Sequence, residues 1–322
     1  MEASAIADYG PVARRRIFEW LGIEFNSVID LEGFENFVYA SGSRVIRITH
    51  ESHRSREQLL GELEFLTFLA EHDAPVARPV RLSNGEWLET IAPFHICQFE
   101  RAPGTPAHDE PYSRSVIKEW GRCIGQFHRL ATDFEPEHVR GDWSMDENHG
   151  FNTRIPEEQS LVRDKASQLM ARLMNLPKEI SVYGLIHSDA HSGNYLHDNG
   201  RLTFFDFDDC LHTWYGYDVA TILLGVSLQP WVDASDAAMV DAVKHFLPVF
   251  LDGYANEYPV EKLMWDQMHD FLKLREFSLY GVIHAHMDPD NLQDWFPKKF
   301  MQGRQRRLQL DIPYLDMDFG PV

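Results

Sequence analysis

"GLIHSDAHSGNYLHDNGRLTFFDFDDC", residues 184–210, gathers three histidines and five aspartates among interleaved apolar residues. Asp189 is followed five residues later by Asn194, and Asp206 comes twelve residues after that. Between them "YLHDNGRLTFF" reads as two strands around Asn199-Gly200, a pair that favours a tight hairpin turn. A hairpin folds back on itself, so Asn194 at its start can face Asp206 at its end. One neutral and one charged oxygen suit magnesium, a hard cation that keeps its other positions for phosphate and water. Asp189, on the loop leading in, can orient a hydroxyl and accept its proton.

Three readings compete for this stretch. The first is phosphoryl transfer, since kinase catalytic loops place an Asp five residues before an Asn and a later Asp on metal. The second is a zinc hydrolase using His187, Asp189 and His191, with His197 or His212. Those residue types suit zinc, but no upstream H-x-H or H-E-x-x-H accompanies them and the asparagine is left without a task. The third is a capped, solvated polar hairpin with no chemistry. His187 on its own reads as a loop brace through a backbone hydrogen bond, and His191, His197 and His212 as surface or packing residues.

The chain around the stretch decides among them. "VARRRIFEWLG" reads as a short helix stopped at Gly22. "NFVYASGSRVIRITH" is a hairpin, two β-rich runs about a Ser-Gly-Ser turn. In "SREQLLGELEFLTFLAEHD", Leu59, Leu63, Leu66 and Leu69 recur at helical spacing, and the prolines of "APVARPV" stop the helix. "GEWLETIA" and "FHICQFE" look like two more strands, and "RAPGTPAHDEP" like a linker. Thereafter "SRSVIKEWGRCIGQFHRLATDF" and "EEQSLVRDKASQLMARLMNL" are long helices. Beyond the opening stretch, helices are expected over 238–258, 263–286 and 291–310. The outline is α+β: a small β-rich lobe with one helix over 1–97, a linker over 98–106, and a larger, mainly helical lobe over 107–322.

Composition narrows the function classes. With 322 residues and 44% apolar content, the chain can bury the cores of two lobes. Its three cysteines form no CxxC pair, so a reducing, cytoplasmic setting fits better than a disulfide or zinc framework. No secretory h-region and no membrane-spanning apolar run is visible. A net charge of −20 argues against general nucleic-acid binding. It could steer a cationic substrate, although solubility alone accounts for it.

On "HSDAHSGN…FFDFDD", on "WGRCIGQFHRLATDF" and on "WYGYDVATILL", the chain resembles the aminoglycoside phosphotransferase/choline kinase-like family, small-molecule relatives of the protein kinases. The resemblance runs from about Phe25 to Leu224 and implies a two-lobed kinase-like fold. It implies Asp189 as the catalytic aspartate, and Asn194 and Asp206 as magnesium ligands. Asp208 falls on the second acidic position of the metal motif, and Asp218 on a structural brace of the loop. "LEGFENFVY" resembles the loop over the phosphates, with Gly33 and Asn36. Arg47 stands where the family has a lysine for the α- and β-phosphates; a planar guanidinium can grip phosphate with two bonds. Its implied partner is Glu62, with Glu64 as the alternative. "CQFERAPG" resembles the hinge, where an adenine would meet backbone near Gln98 to Glu100.

The implied activity is transfer of the γ-phosphoryl group of ATP, or of GTP, with Mg2+, to a hydroxyl of a small molecule. An aminoglycoside, an amino alcohol, homoserine and a sugar all fit. A catalytically silent kinase fold that binds nucleotide or a partner is the alternative. Acceptor contacts are sought at Trp214, Tyr217, Asp266, Asp270 and Arg275. Arg275 interrupts an apolar helix, and a buried arginine needs a partner; a neighbouring aspartate is expected to supply it, with a substrate anion as the alternative.

Overall fold

The computed structural model describes residues 3–106, 112–144 and 151–320. It divides into two compact units, Met1–Pro103 with Phe134–Arg140, and Gly104–Asp133 with Gly141–Val322. The linker expected over 98–106 is mostly spoken for. Residues up to Glu100 finish a strand of the first unit, and Thr105–Pro106 pair with a strand of the second. The Pro- and Gly-rich stretch continues into 107–111, which lies outside the described residues.

In the first unit, helices α1 (Ala3–Asp8) and α2 (Pro11–Leu21) precede an antiparallel sheet. Its strands are β1 (Ile29–Asp30), β2 (Phe37–Ser41), β3 (Arg44–His50), β4 (Pro79–Val80), β5 (Glu89–Ile91) and β6 (Phe94–Glu100). They run in the order β1-β2-β3-β6-β4, with β5 also on β6. Gly22 ends α2 at φ 68°, a left-handed conformation that glycine adopts without a Cβ clash. Side chains alternate across a strand. On β3, Ile46 and Ile48 enter the apolar cluster with Tyr9, Ile17, Phe18 and Phe94. Arg47 between them faces α3 (Arg56–Glu71) on the other side, where it meets Glu62. Ser55 and Gln58 form a capping box at the start of α3, and Leu59, Leu63, Leu66 and Leu69 are all buried, as their spacing predicts. Glu64 turns to the returning segment and accepts from the Glu137 and His138 N–H groups, both at 2.9 Å.

The second unit holds β7 (Thr105–Pro106), α4 (Arg114–Ala131), α5 (Phe151–Arg154) and α6 (Ser160–Leu173). After these come β8 (Tyr183–Ile186), β9 (Tyr195–Asp198), β10 (Arg201–Phe204) and β11 (Leu211–Trp214). The helices α7 (Tyr215–Ser227), α8 (Asp236–Tyr254), α9 (Met268–His286), α10 (Trp295–Met301) and α11 (Arg304–Gln309) complete it. The last expected helix is two, broken where Gly303 takes φ 61°. Two glycines let α4 and α8 touch backbone to backbone. A Cβ on Gly121 would lie 1.8 Å from the Phe250 carbonyl oxygen, and one on Gly253 1.8 Å from that of Lys118. Among the described residues, no helix is long and apolar enough to cross a membrane.

Candidate active site

The site in the second unit is built on the β9–β10 hairpin. Asn199 and Gly200 both have positive φ, 48° and 86°, as the two-residue turn requires. The ladder pairs Tyr195 with Phe204 and is carried one step further by the Phe205 N–H donating to the Asn194 carbonyl at 3.0 Å. Asn194 and Asp206 are therefore brought to the same end of the hairpin. Asp206 is exposed, in left-handed backbone at φ 62°, and Asp208 is buried in the 3-10 turn that follows.

The loop carrying Asp189 is pinned from beneath. Ser188 has φ 69°, unusual for a residue with a Cβ. Its N–H donates to Asp218 Oδ1 at 2.7 Å, while Asp218 Oδ2 lies 3.1 Å from His128 Nε2. His128 Nδ1 is 2.8 Å from the Tyr254 hydroxyl, and both His128 and Asp218 are fully buried. Three helices, α4, α7 and α8, thus hold one peptide group. His187 is a brace as well. Its Nε2 lies 3.2 Å from the Phe205 carbonyl oxygen, and its Nδ1 accepts from the Asp189 N–H at 3.3 Å. Burial pushes its pKa down, which favours the neutral ring.

The Asp189 carboxylate is held on both oxygens. Oδ1 accepts from Arg275 Nη2; Oδ2 accepts from Asn194 Nδ2 at 3.1 Å and faces His191 Nε2 at 3.3 Å. Asn194 Nδ2 also donates to the Asp189 carbonyl at 2.8 Å. The amide nitrogen being the atom engaged there, Oδ1 is the atom of Asn194 suited to a hard cation. Burial alone would raise the Asp189 pKa, but the positive charges of His191 and Arg275 outweigh it. The carboxyl is held well below the usual carboxylate range. Burial would lower the His191 pKa; the Asp189 carboxylate outweighs that and raises it, and the charge of Asp206 adds to the effect.

The sequence offers His191 as a surface or packing residue, or beside Asp189 as a zinc ligand; the structure sets it instead as an ion-pair partner of the Asp189 carboxylate. Arg275 has the expected aspartate partner, and that partner is Asp189 itself. Trp214 is fully buried, with its N–H on the Pro177 carbonyl at 2.8 Å and its ring stacked on Phe271. Asp270 pairs with Arg172 at 2.7 Å, Tyr217 is buried, and Asp266 lies in a 3-10 turn. A zinc site is not formed among these histidines. Both His187 nitrogens are committed to backbone, and His197 Nε2 accepts from the Gly200 N–H at 3.0 Å.

In the first unit, Arg47 meets Glu62 with two parallel bonds, Nη1 to Oε1 at 2.8 Å and Nη2 to Oε2 at 2.5 Å. Both side chains are at least nine-tenths buried. Glu64 does not compete, since it caps the 137–138 backbone. Gly33 sits in a tight loop, where a Cβ would lie 2.4 Å from the Asn36 carbonyl oxygen. Asn36 is buried and accepts from Thr49 Oγ1 at 2.6 Å, which ties the loop to β3. Gln98 and Glu100 lie on β6, flanked by β3 and β4. The Glu100 N–H donates to the Arg78 carbonyl and that of Arg101 to the Ser43 carbonyl, at 2.8 and 2.9 Å.

A sheet ordered β1-β2-β3-β6-β4 with a paired basic residue on β3 defines a two-lobed kinase-like fold. So does a hairpin presenting Asp, Asn and Asp. Residues 30–271 match the family described as "Phosphotransferase enzyme family", and the chain belongs to it. It is a small-molecule kinase that acts on a hydroxyl acceptor. An amicoumacin kinase of Bacillus subtilis (strain 168) is 30% identical over 313 residues, covering 94% of this chain and 92% of that one. A solved amicoumacin kinase in complex with AMP-PNP, Ca2+ and Ami aligns over 99% of both chains, with a TM-score of 0.90 at 26% identity. The fold is also that of a microcompartment-associated aminopropanol kinase, at a TM-score of 0.72 and 19% identity over 94% of this chain and 98% of that one.

Proposed function

We propose that this chain transfers the γ-phosphoryl group of ATP, with Mg2+, to a hydroxyl of amicoumacin or of a closely similar molecule. The observation that supports the chemistry is that Asn194 touches the Asp189 carboxylate and stands at the same end of the β9–β10 hairpin as Asp206. The acceptor class rests on the two amicoumacin kinases, which match along nearly the whole chain.

Asp189 orients the acceptor hydroxyl. A carboxylate held this acidic is a weak base in the ground state, so its main contribution is alignment. The proton reaches it late, as the loose phosphoryl-transfer transition state breaks down. Asn194 Oδ1 and the Asp206 carboxylate are hard oxygen donors that fit Mg2+. A divalent cation held there would link the phosphates and offset the charge that develops on transfer. Asp208, buried in the following turn, is the secondary candidate at the metal position. Arg47, fixed by Glu62, steadies the α- and β-phosphates, and the tight Gly33–Asn36 loop offers backbone N–H groups to them. With the amides of Glu100 and Arg101 already engaged, an adenine would read the Glu100 carbonyl side of the strand and the residues just beyond.

The test is incubation with ATP, Mg2+ and amicoumacin, followed by ADP release and by mass spectrometry of the acceptor. A product heavier by one phosphoryl group is expected. ADP release that amicoumacin leaves unchanged, with another hydroxyl compound phosphorylated instead, would refute the acceptor assignment.

A further inference from the structure

We propose that Arg275 is a positioning residue for the reaction: it fixes the orientation of the Asp189 carboxylate and leaves one direction of it open to the acceptor hydroxyl. The inference rests on the reading of Asp189 as the group that orients the acceptor.

A carboxylate offers about four lone-pair directions. Asp189 has three of them facing protein groups: Arg275 Nη2 on Oδ1, and Asn194 Nδ2 and His191 Nε2 on Oδ2. Asn194 and His191 lie on the same loop as Asp189 and move with it. Of the three, Arg275 alone reaches in from a helix, α9, so it ties the carboxylate to the rigid body of the unit. Tyr217, buried at the start of α7, interacts electrostatically with Arg275. Asp209 adds a further negative charge near it.

The energetics favour a functional reason for this arginine. Its side chain is 16% exposed, and its Nε is buried without a partner among the described residues. A buried ion pair with an unsatisfied donor stabilises a fold less than well-packed apolar side chains in place of both partners. The neighbours of Arg275 on α9 show what a structural ion pair looks like here. Glu276 is fully buried between Lys273 and Arg304, 2.7 Å from each, and joins α9 to α11. Arg275 is spent instead on the Asp189 loop. Local stability given up at a side chain touching the reacting centre is the pattern expected where orientation matters more than stability.

The test compares the wild type with Arg275→Met and Arg275→Lys, using amicoumacin with ATP and Mg2+. ADP release to water, with no acceptor added, is measured alongside. For Arg275→Met the expected result is a kcat lower by about 10- to 100-fold, since small misplacements of a catalytic group cost this much. KM for the acceptor should stay within about twofold, and the melting temperature should fall somewhat, because the Asp189 carboxylate loses a partner. Arg275→Lys, which restores charge without the fork, should recover part of the rate. A kcat for the Met variant within about twofold of wild type would overturn the proposal. So would a loss of rate that vanishes when both proteins are assayed well below their melting temperatures, or a rise in KM at unchanged kcat. If wild type leaves amicoumacin untouched, the acceptor assignment fails by itself. ADP release to water then reads Arg275, with the same fall expected in the Met variant and an unchanged rate refuting it.

Discussion

Arg275 and Asp189 are in direct contact, Nη2 against Oδ1, although they stand 86 positions apart in the chain. Through that contact a helix of the second unit grips the loop that leads into the β9–β10 hairpin. The loop is held from below as well, by the Asp218–His128–Tyr254 chain. Asp189 is therefore set in place before any acceptor arrives. In the proposed role of Asp189, preorganisation of this kind lowers the barrier without a reorganisation cost at the moment of reaction.

Arg47 and Glu62 form a bidentate pair away from water, so removing one partner strands the other. Arg47→Met should destabilise the protein by about 3–5 kcal/mol, and the double change Arg47→Met with Glu62→Met by clearly less. Urea unfolding of both variants and the wild type measures this. If Arg47 holds the phosphates as proposed, the double variant should also bind ATP more weakly than wild type by calorimetry, the fold surviving.

The legibility of the sequence was uneven, for physical reasons. Hairpins and amphipathic helices announce themselves locally. Asn199-Gly200 states its turn, and the leucines of α3 state its buried face. The short strands β7, β8 and β11 do not, because two to four residues carry no readable period. The spacing of Asp189, Asn194 and Asp206 was readable because one hairpin joins them. The His191 and Arg275 contacts were not. Which of many charged side chains reaches a carboxylate depends on how α9 packs, and that is a tertiary fact.

Stability near neutral pH should fall on acidification because of His187. Burial lowers its pKa in the folded protein below the roughly 6.5 of an unfolded histidine. The unfolded chain then binds the extra proton, so the contribution is complete above pH of about 6.5 and is lost as pH falls below it. His191 has the opposite sign. Its raised pKa gives stability that is present below about pH 6.5 and disappears as pH rises through the folded value. Urea midpoints measured from pH of about 5 to 8 should lose part of their acid-side decline in His187→Asn, and part of their alkaline-side decline in His191→Asn. Unchanged slopes in both variants would contradict these assignments.

Gly121 has no room for a side chain against Phe250. Gly121→Ala must push α4 and α8 apart, at a cost of at least about 1–3 kcal/mol. The measurement is the melting temperature, with a fall of several degrees expected. Gly85 serves for comparison, because nothing lies within 4 Å of the place where its Cβ would stand. An alanine there meets only the strain of a φ of 86°, so Gly85→Ala should lower the melting temperature less.

The catalytic role of Asp189 is tested most directly by one comparison, turnover of Asp189→Asn against wild type at saturating ATP, Mg2+ and acceptor. Asparagine keeps the size and an oxygen for Arg275 but removes the negative charge. The expected result is a kcat lower by about 10²- to 10⁴-fold with ATP affinity, measured by calorimetry, unchanged within a few-fold. A variant that turns over at near the wild-type rate would show that the hydroxyl is aligned by some other group.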